Sequence, residues 1–399
     1  MRLSDQRRCT VHLSYCTNVH PAEDLAGVLD QLDTYAVPVR DRLDADPLGL
    51  GLWLAAPAAA ALAADPAARR RLRAALTDRG LEVVTLNGFP YEAFQAPVVK
   101  HAVYHPDWAD PRRLDYTLAL AGILADLLPD DAQRGSISTL PLAWREPWDT
   151  DRADACARML DRLAAGLADV ERDTGRTIRV GFEPEPGCVV ETTAQAAEQL
   201  ADVDTERLGV CVDLAHLACA WEEPVAALGR LRAAGLPVVK VQVSAALEVT
   251  DPVRDRSAIA GYVEPRFLHQ TRSDTGGATD DLDAALGSGL PGPWRVHYHI
   301  PLHAAPVAPL AATMPHLRDG LAAVVDGTDC DHFDVETYTW GVLPADVRPT
   351  GPAQLAAGIA AELAQARDEL IALGLSTTTR TATTRTTATR TAAGSEAAA

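Results

Sequence analysis

LGVCVDLAH (residues 208–216) carries the pattern that decides the fold: a short apolar run, closed by a carboxylate at Asp213 and followed at once by a helix-like stretch. A run of this length, rich in β-branched residues, reads as a buried strand. The same arrangement recurs in RVGFEPEPG (179–187), where the run ends at Glu183. It recurs again in VVKVQVSAA (238–246), with Gln242, and in FDVETYTW (333–340), with Glu336. Such endings on parallel strands all open on the same edge of a sheet.

Working outward, the runs 11–16, 49–54, 81–86, 136–140, 178–183, 208–213, 238–243 and 333–336 are predicted strands, separated by alanine- and leucine-rich stretches. One of these stretches, 152–174, repeats apolar residues at three- and four-residue steps, as an amphipathic helix does. Strictly alternating strands and helices make a parallel sheet, and eight strands close it into a (β/α)8 TIM barrel. An open doubly wound sheet shares the alternation, but no GxGxxG loop follows the first strand. The expected organisation is one barrel over 1–375, with an insertion at about 245–305 between strands seven and eight and a disordered Thr/Arg-rich tail at 376–399. Two segments fall outside the regular spacing. Residues 87–116 are too polar, aromatic and proline-rich for a helix and are expected to form a lid; the insertion holds WRVHYHIPLH (294–303).

Composition bounds the function. Hydrophobic residues make up 47% and charged residues 23%, the balance of a globular chain with a sizeable core. With 36 basic against 55 acidic residues, the molecule repels phosphate backbones, which argues against nucleic acid as a partner. The tail is locally basic at +2, leaving the remainder at −21. Seven cysteines, odd in number and without CxxC pairs, fit a reducing cytoplasm. The polar N-terminus lacks an apolar signal core, and the alanine-rich run 48–64, broken by Pro57, is too short to span a membrane.

Carboxylates buried at one rim are costly unless a cation compensates them. Glu183, Asp213 and Glu336, with Gln242, therefore predict a divalent metal, and oxygen-rich ligation suits Mn, Mg, Co or Zn. His297 and His299 alternate onto one strand face, so either could replace or join Gln242. Such an ion could polarise a carbonyl while a base removes the neighbouring proton.

These residues resemble the xylose isomerase-like TIM-barrel superfamily of sugar phosphate isomerases and epimerases, through Glu183-Pro184, Glu191-Thr192, Asp213-x-x-His216, Gln242 and Glu336. The resemblance implies metal ligation by the strand-end residues, acid and base roles for the two glutamates Glu183 and Glu336, and substrate contact by His216. Glu191 is a further catalytic candidate. Within the superfamily the chain is similar to the EboE metabolite-traffic group, through HLSYCTNVHP, TLNGFPY, VVKHAVYHPDWADPRR and DLAHLACAWEEP. That likeness implies a small-molecule metabolite as ligand and other proteins of a traffic pathway as partners.

Competing readings stay open. Asp213 could simply cap the following helix, and Thr192 with Gln195 makes a capping box that accounts for its neighbourhood. His12, Asn87 and Tyr91 could orient a polyol or only pack. On the proposed lid, His105, Asp107 and Trp108 could touch substrate, and Lys100 or Arg112 could grip a phosphate. The function expected is a metal-dependent isomerase or epimerase for a small polyhydroxylated or carbonyl compound. The alternative is a non-catalytic carrier using the same mouth. A phosphodiesterase for damaged DNA, also found in the superfamily, conflicts with the acidic charge.

Overall fold

The computed structural model describes residues 1–5 and 9–377. Its centre is a closed ring of parallel strands: β1 (Thr10–Cys16), β2 (Leu48–Trp53), β3 (Leu81–Asn87), β4 (Gly135–Thr139), β5 (Ile178–Phe182), β6 (Leu208–Asp213), β7 (Val238–Val243) and β8 (His332–Val335). Each pairs with the next, and β8 returns to β1, with Phe333 opposite Leu13 and Val335 opposite Tyr15. The predicted (β/α)8 barrel is therefore present. Glu183 and Glu336 each sit one residue beyond their strand, so both begin the loops of the C-terminal rim.

Helices clothe the outside. That of Thr150–Thr174 starts where the Asp149 side chain accepts the Arg152 N–H and stops at Gly175, whose φ of 69° is reached without Cβ strain. Its Leu160, Leu163 and Leu167 are buried in the main core. In the 87–116 segment the expectation of a wholly non-helical lid is corrected. A helix spans Pro111–Leu127, with the Asp110 side chain accepting the Arg112 N–H. Proline at the first helical position starts a helix, because the N–H it lacks would have no partner there.

The insertion is a second sheet, antiparallel, ordered Ala278–Thr279, Thr271–Ser273, Trp294–His299, Ala246–Val249, Ala311–Ala312. It thus runs on to residue 312, beyond the expected 305. Trp294, Val296 and Tyr298 face a separate small core with Leu247, Val249 and Tyr262, which turns His297 and His299 toward the barrel. At the opposite end of the ring, Arg2–Ser4 pairs antiparallel with β1, and Ser376–Thr377 pairs with Arg2–Ser4. Those two tail residues are therefore ordered as strand; the rest of the expected disordered tail, 378–399, lies outside the described residues. All seven cysteines are free. Among the described residues no helix is long and apolar enough to cross a membrane.

The ring's interior is polar at its middle. Lys240 Nζ lies 2.8 Å from Asp334 Oδ2, both side chains wholly inaccessible, and Ser14 Oγ donates to Asp334 Oδ1 at 2.6 Å. Burial opposes the Lys240 charge, yet Asp334 holds its pKa above the ordinary lysine value. Gly51 makes room for this pair: a Cβ there would meet the Asp334 carboxylate at 2.0 Å. Removing one partner strands the other charge. Lys240→Met should cost about 3–5 kcal/mol in urea unfolding, and Lys240→Met/Asp334→Asn should recover more than half of the loss.

Glu362 fastens the insertion to the barrel, accepting from Leu302 N at 3.0 Å, Thr337 Oγ1 at 2.7 Å and Trp340 Nε1 at 3.0 Å. Burial pushes its carboxyl up to about 7 from the ordinary 4.5, against those donors. The folded state therefore holds this proton more tightly than the unfolded chain. The stabilisation is full below the unfolded value and is lost as pH rises through about 7. Glu362→Gln should consequently gain stability relative to wild type between about pH 5 and pH 8, measured by urea titration at both.

Candidate functional site at the barrel mouth

The rim gathers Glu183, Asp213, His216, His299 and Glu336, all buried. Glu183 is set by the β-ladder, its N–H donating to Thr139 O at 2.9 Å. Asp213 does two jobs. Its Oδ1 caps the next helix by accepting the His216 N–H at 2.8 Å and also accepts Ser244 Oγ at 2.7 Å, while Oδ2 has no hydrogen-bond partner. Glu336 Oε1 accepts Asn18 Nδ2 and Asn87 Nδ2, each at 2.8 Å.

Three imidazoles face the same place. His216 Nδ1 lies 2.9 Å from Pro184 O, His299 Nδ1 2.7 Å from Glu336 O, and His297 Nδ1 2.8 Å from Gln270 Oε1. Those oxygens only accept, so each Nδ1 carries a hydrogen and each Nε2 is turned inward. The Nε2 atoms of His216 and His297 are 2.9 Å apart, and His299 Nε2 has no partner. Two lone pairs at that distance need a proton or a cation between them. Burial, then His216 and His299, hold His297 well below the usual imidazole value.

Three sets of donor atoms each lie within 4.8 Å of one another: Asp213, His299 and Glu336; Glu183, Asp213 and His216; and the three imidazoles. Glu183 Oε2 and both side-chain polar atoms of Gln242 are also buried without a partner. Gln242 lies on β7 opposite Asp213 and Asp334. Burial, followed by Glu336 and Asp213, drives the Glu183 carboxyl well above its usual range; burial likewise pushes Glu336 up to about 7, His299 partly offsetting it. Orphaned buried oxygens and nitrogens, crowded by like charges, are what a divalent cation would satisfy, so this donor set fits one.

Other expected site residues lie elsewhere. His12 is at the start of β1, against Glu82 and His332, at the opposite end of the ring from the mouth. A strand's first residues lie at the N-terminal end, so its position counts against substrate contact. His105 is exposed and is not among the residues lining the mouth, whereas Trp108 is buried, its indole donating to Leu140 O, and Asp107 pairs with Arg152. Glu191 is held by Arg272 and the Gly187 N–H, facing a neighbouring cleft. The capping box of Thr192 and Gln195 is present, on the helix Thr193–Gln199. Lys100 is paired with Asp281 and Arg112 with Asp110, so neither is free for a phosphate. Asn87 is at the mouth, through Glu336.

Sequence reasoning passed over Glu185. It lines the mouth and accepts the Tyr104 hydroxyl at 2.6 Å, and burial pushes its carboxyl up to about 8. Gln270 Nε2 in turn donates to Tyr104 Oη at 2.8 Å, linking Glu185 to His297 through one buried chain. The repeated Glu-Pro of EPEP, directly after a strand, was the available signal.

A closed barrel with carboxylates and imidazoles gathered at the C-terminal ends of its strands defines the class of protein. The chain belongs to the xylose isomerase-like TIM barrel family, whose model matches residues 49–262, more than half of its length. The match includes Glu183, Asp213, His216 and Gln242 and ends before His297, His299 and Glu336. A xylose isomerase-like TIM barrel protein from Mycobacterium smegmatis, in complex with magnesium, is 15% identical with a TM-score of 0.51, covering 90% of this chain and 98% of that one. A D-tagatose 3-epimerase-like protein is 13% identical with a TM-score of 0.48, covering 90% and 99%. The 3-keto-D-glucoside 4-epimerase of E. coli is 16% identical with a TM-score of 0.44, covering 91% and 98%. At these identities the likeness is one of fold. No curated protein matches the sequence.

If Asp213 is a ligand, the group orienting it matters. Ser244→Ala should weaken cobalt binding by about 10–100-fold, read by competition with a chelator, and an unchanged affinity would remove Asp213 from the ligand set.

Proposed function

We propose that the protein is a metal-dependent isomerase or epimerase-like enzyme that moves a proton beside a carbonyl of a small oxygenated metabolite. The observation that carries this reading is the convergence of partnerless buried atoms, Glu183 Oε2, Asp213 Oδ2 and His299 Nε2, at one mouth. Asp213, Glu336, Glu183 and His299 would hold the ion, with Gln242, His216 and His297 as further donors. A bound divalent ion, Mn, Mg, Co or Zn, supplies Lewis acidity toward a carbonyl and its enediolate.

The chain's own residues do the rest. Glu183 and Glu336 exchange the proton as base and acid across the substrate. Asn18 and Asn87 fix one oxygen of Glu336, leaving the other for that exchange. His216, oriented by Pro184 O, positions substrate oxygen. The motifs shared with the EboE group support a place in handling a secondary-metabolite precursor in the cytoplasm, together with other proteins of such a pathway.

One observation favours a second reading, a non-catalytic carrier: Glu191 is engaged by Arg272 rather than turned to the mouth. A screen of aldoses, ketoses and their phosphates with added Mn or Co separates the two. Turnover is expected, with Glu336→Gln lowering it by at least about 100-fold. Metal-supported binding without turnover across the screen would favour the carrier.

A further inference from the structure

Above the polar floor, the mouth changes character. Phe89, Phe94, Val99, Phe267, Leu268 and Tyr338 line its upper part, all buried. Three of the rings touch: Phe94 and Phe267 centroids are 5.2 Å apart, Phe267 and Tyr338 4.8 Å, Phe94 and Tyr338 5.7 Å. This wall is already assembled. Val99 N and Lys100 N both donate to Arg266 O, at 2.7 and 2.9 Å, so the segment after β3 and the insertion are fastened together where their aromatics meet. The empty space between these side chains, counted with its opening to solvent, is about 510 Å³.

Charge narrows the occupant further. Among the described residues lining the mouth, Lys100 is the only lysine or arginine, and Asp281 neutralises it. Glu183, Glu185 and Glu336 face the same space. A phosphate set against this wall would meet no unpaired lysine or arginine, and a polyol extending upward would lose water from its hydroxyls against ring faces.

We infer that the substrate is an unphosphorylated α-hydroxyketone bonded to an aromatic or comparably flat apolar group, its oxygens on the floor and its ring against Phe94, Phe267 and Tyr338. This assignment rests on the mouth being the functional site proposed above, and it goes beyond that reading by fixing the substrate's class.

Calorimetric titration with 2-hydroxyacetophenone, dihydroxyacetone, dihydroxyacetone phosphate and D-fructose tests it, in cobalt-loaded and in metal-free protein. The aryl ketone should bind at least tenfold more tightly than dihydroxyacetone with cobalt and at least threefold without it, and the phosphate ester should bind most weakly. Phe267→Leu, a change that keeps the site apolar, should lower the ratio of the first two affinities at least threefold. Equal or tighter binding of dihydroxyacetone, its phosphate or fructose would overturn the inference, as would no detectable binding of the aryl ketone by either form. Failure of the protein to bind cobalt would sink the metal reading instead, and the ring preference would still be decided in the metal-free titration.

Discussion

Charge withdrawn from water has to be answered inside the protein, and this barrel answers it twice along one axis. In the middle of the ring, Lys240 and Asp334 neutralise each other with Ser14 in attendance, and Gly51 gives up a side chain so that they fit. One layer higher, Glu183, Asp213 and Glu336 have no such internal counter-charge in contact, and burial raises the protonation of Glu183 and Glu336. The lower pair is self-contained, whereas the upper group keeps Glu183 Oε2 and Asp213 Oδ2 without a hydrogen-bond partner. That difference separates structural polarity from functional polarity within one interior.

The surroundings of the upper group are correspondingly rigid. Each imidazole is tied at Nδ1 to an oxygen of the frame, and Asp213 is tied at Oδ1 by a helix start and by Ser244. Each of these ligand candidates therefore has one end anchored and the other free, which lowers the entropy lost on binding and fixes the direction of approach. The aromatic wall adds a dry flank, where electrostatic interactions with a bound molecule are stronger than in water.

Much of this could be read from the chain itself, because parallel strands buried on both faces leave short β-branched runs, and a carboxylate at the end of such a run has only the rim to occupy. Glu183, Asp213 and Glu336 were legible for that reason. His12 was legible too, since the predicted strand 11–16 already sets it at the N-terminal end, away from the rim, and its assignment to substrate overlooked that. Glu191 was not, because its orientation depends on Arg272, a partner far along the chain in the insertion. The wall was hidden for the same cause: Phe94, Phe267 and Tyr338 come from three separate stretches, and their meeting is a tertiary event with no local pattern. Pro111 misled in the other direction, since proline marks helix starts as well as breaks.

The strand Trp294–His299 lies on a sheet with its own core, yet it delivers two imidazoles to a mouth whose carboxylates belong to the ring. Two of the three imidazoles at the mouth therefore reside on a separately packed part of the chain, while His216 and the carboxylates follow strands of the ring. Swapping either histidine for an acidic or amide side chain would shift the balance from softer toward harder cations without touching a single strand of the ring. The appended sheet is in this sense a tuning element, through which the donors offered at the mouth can change while the barrel stays as it is.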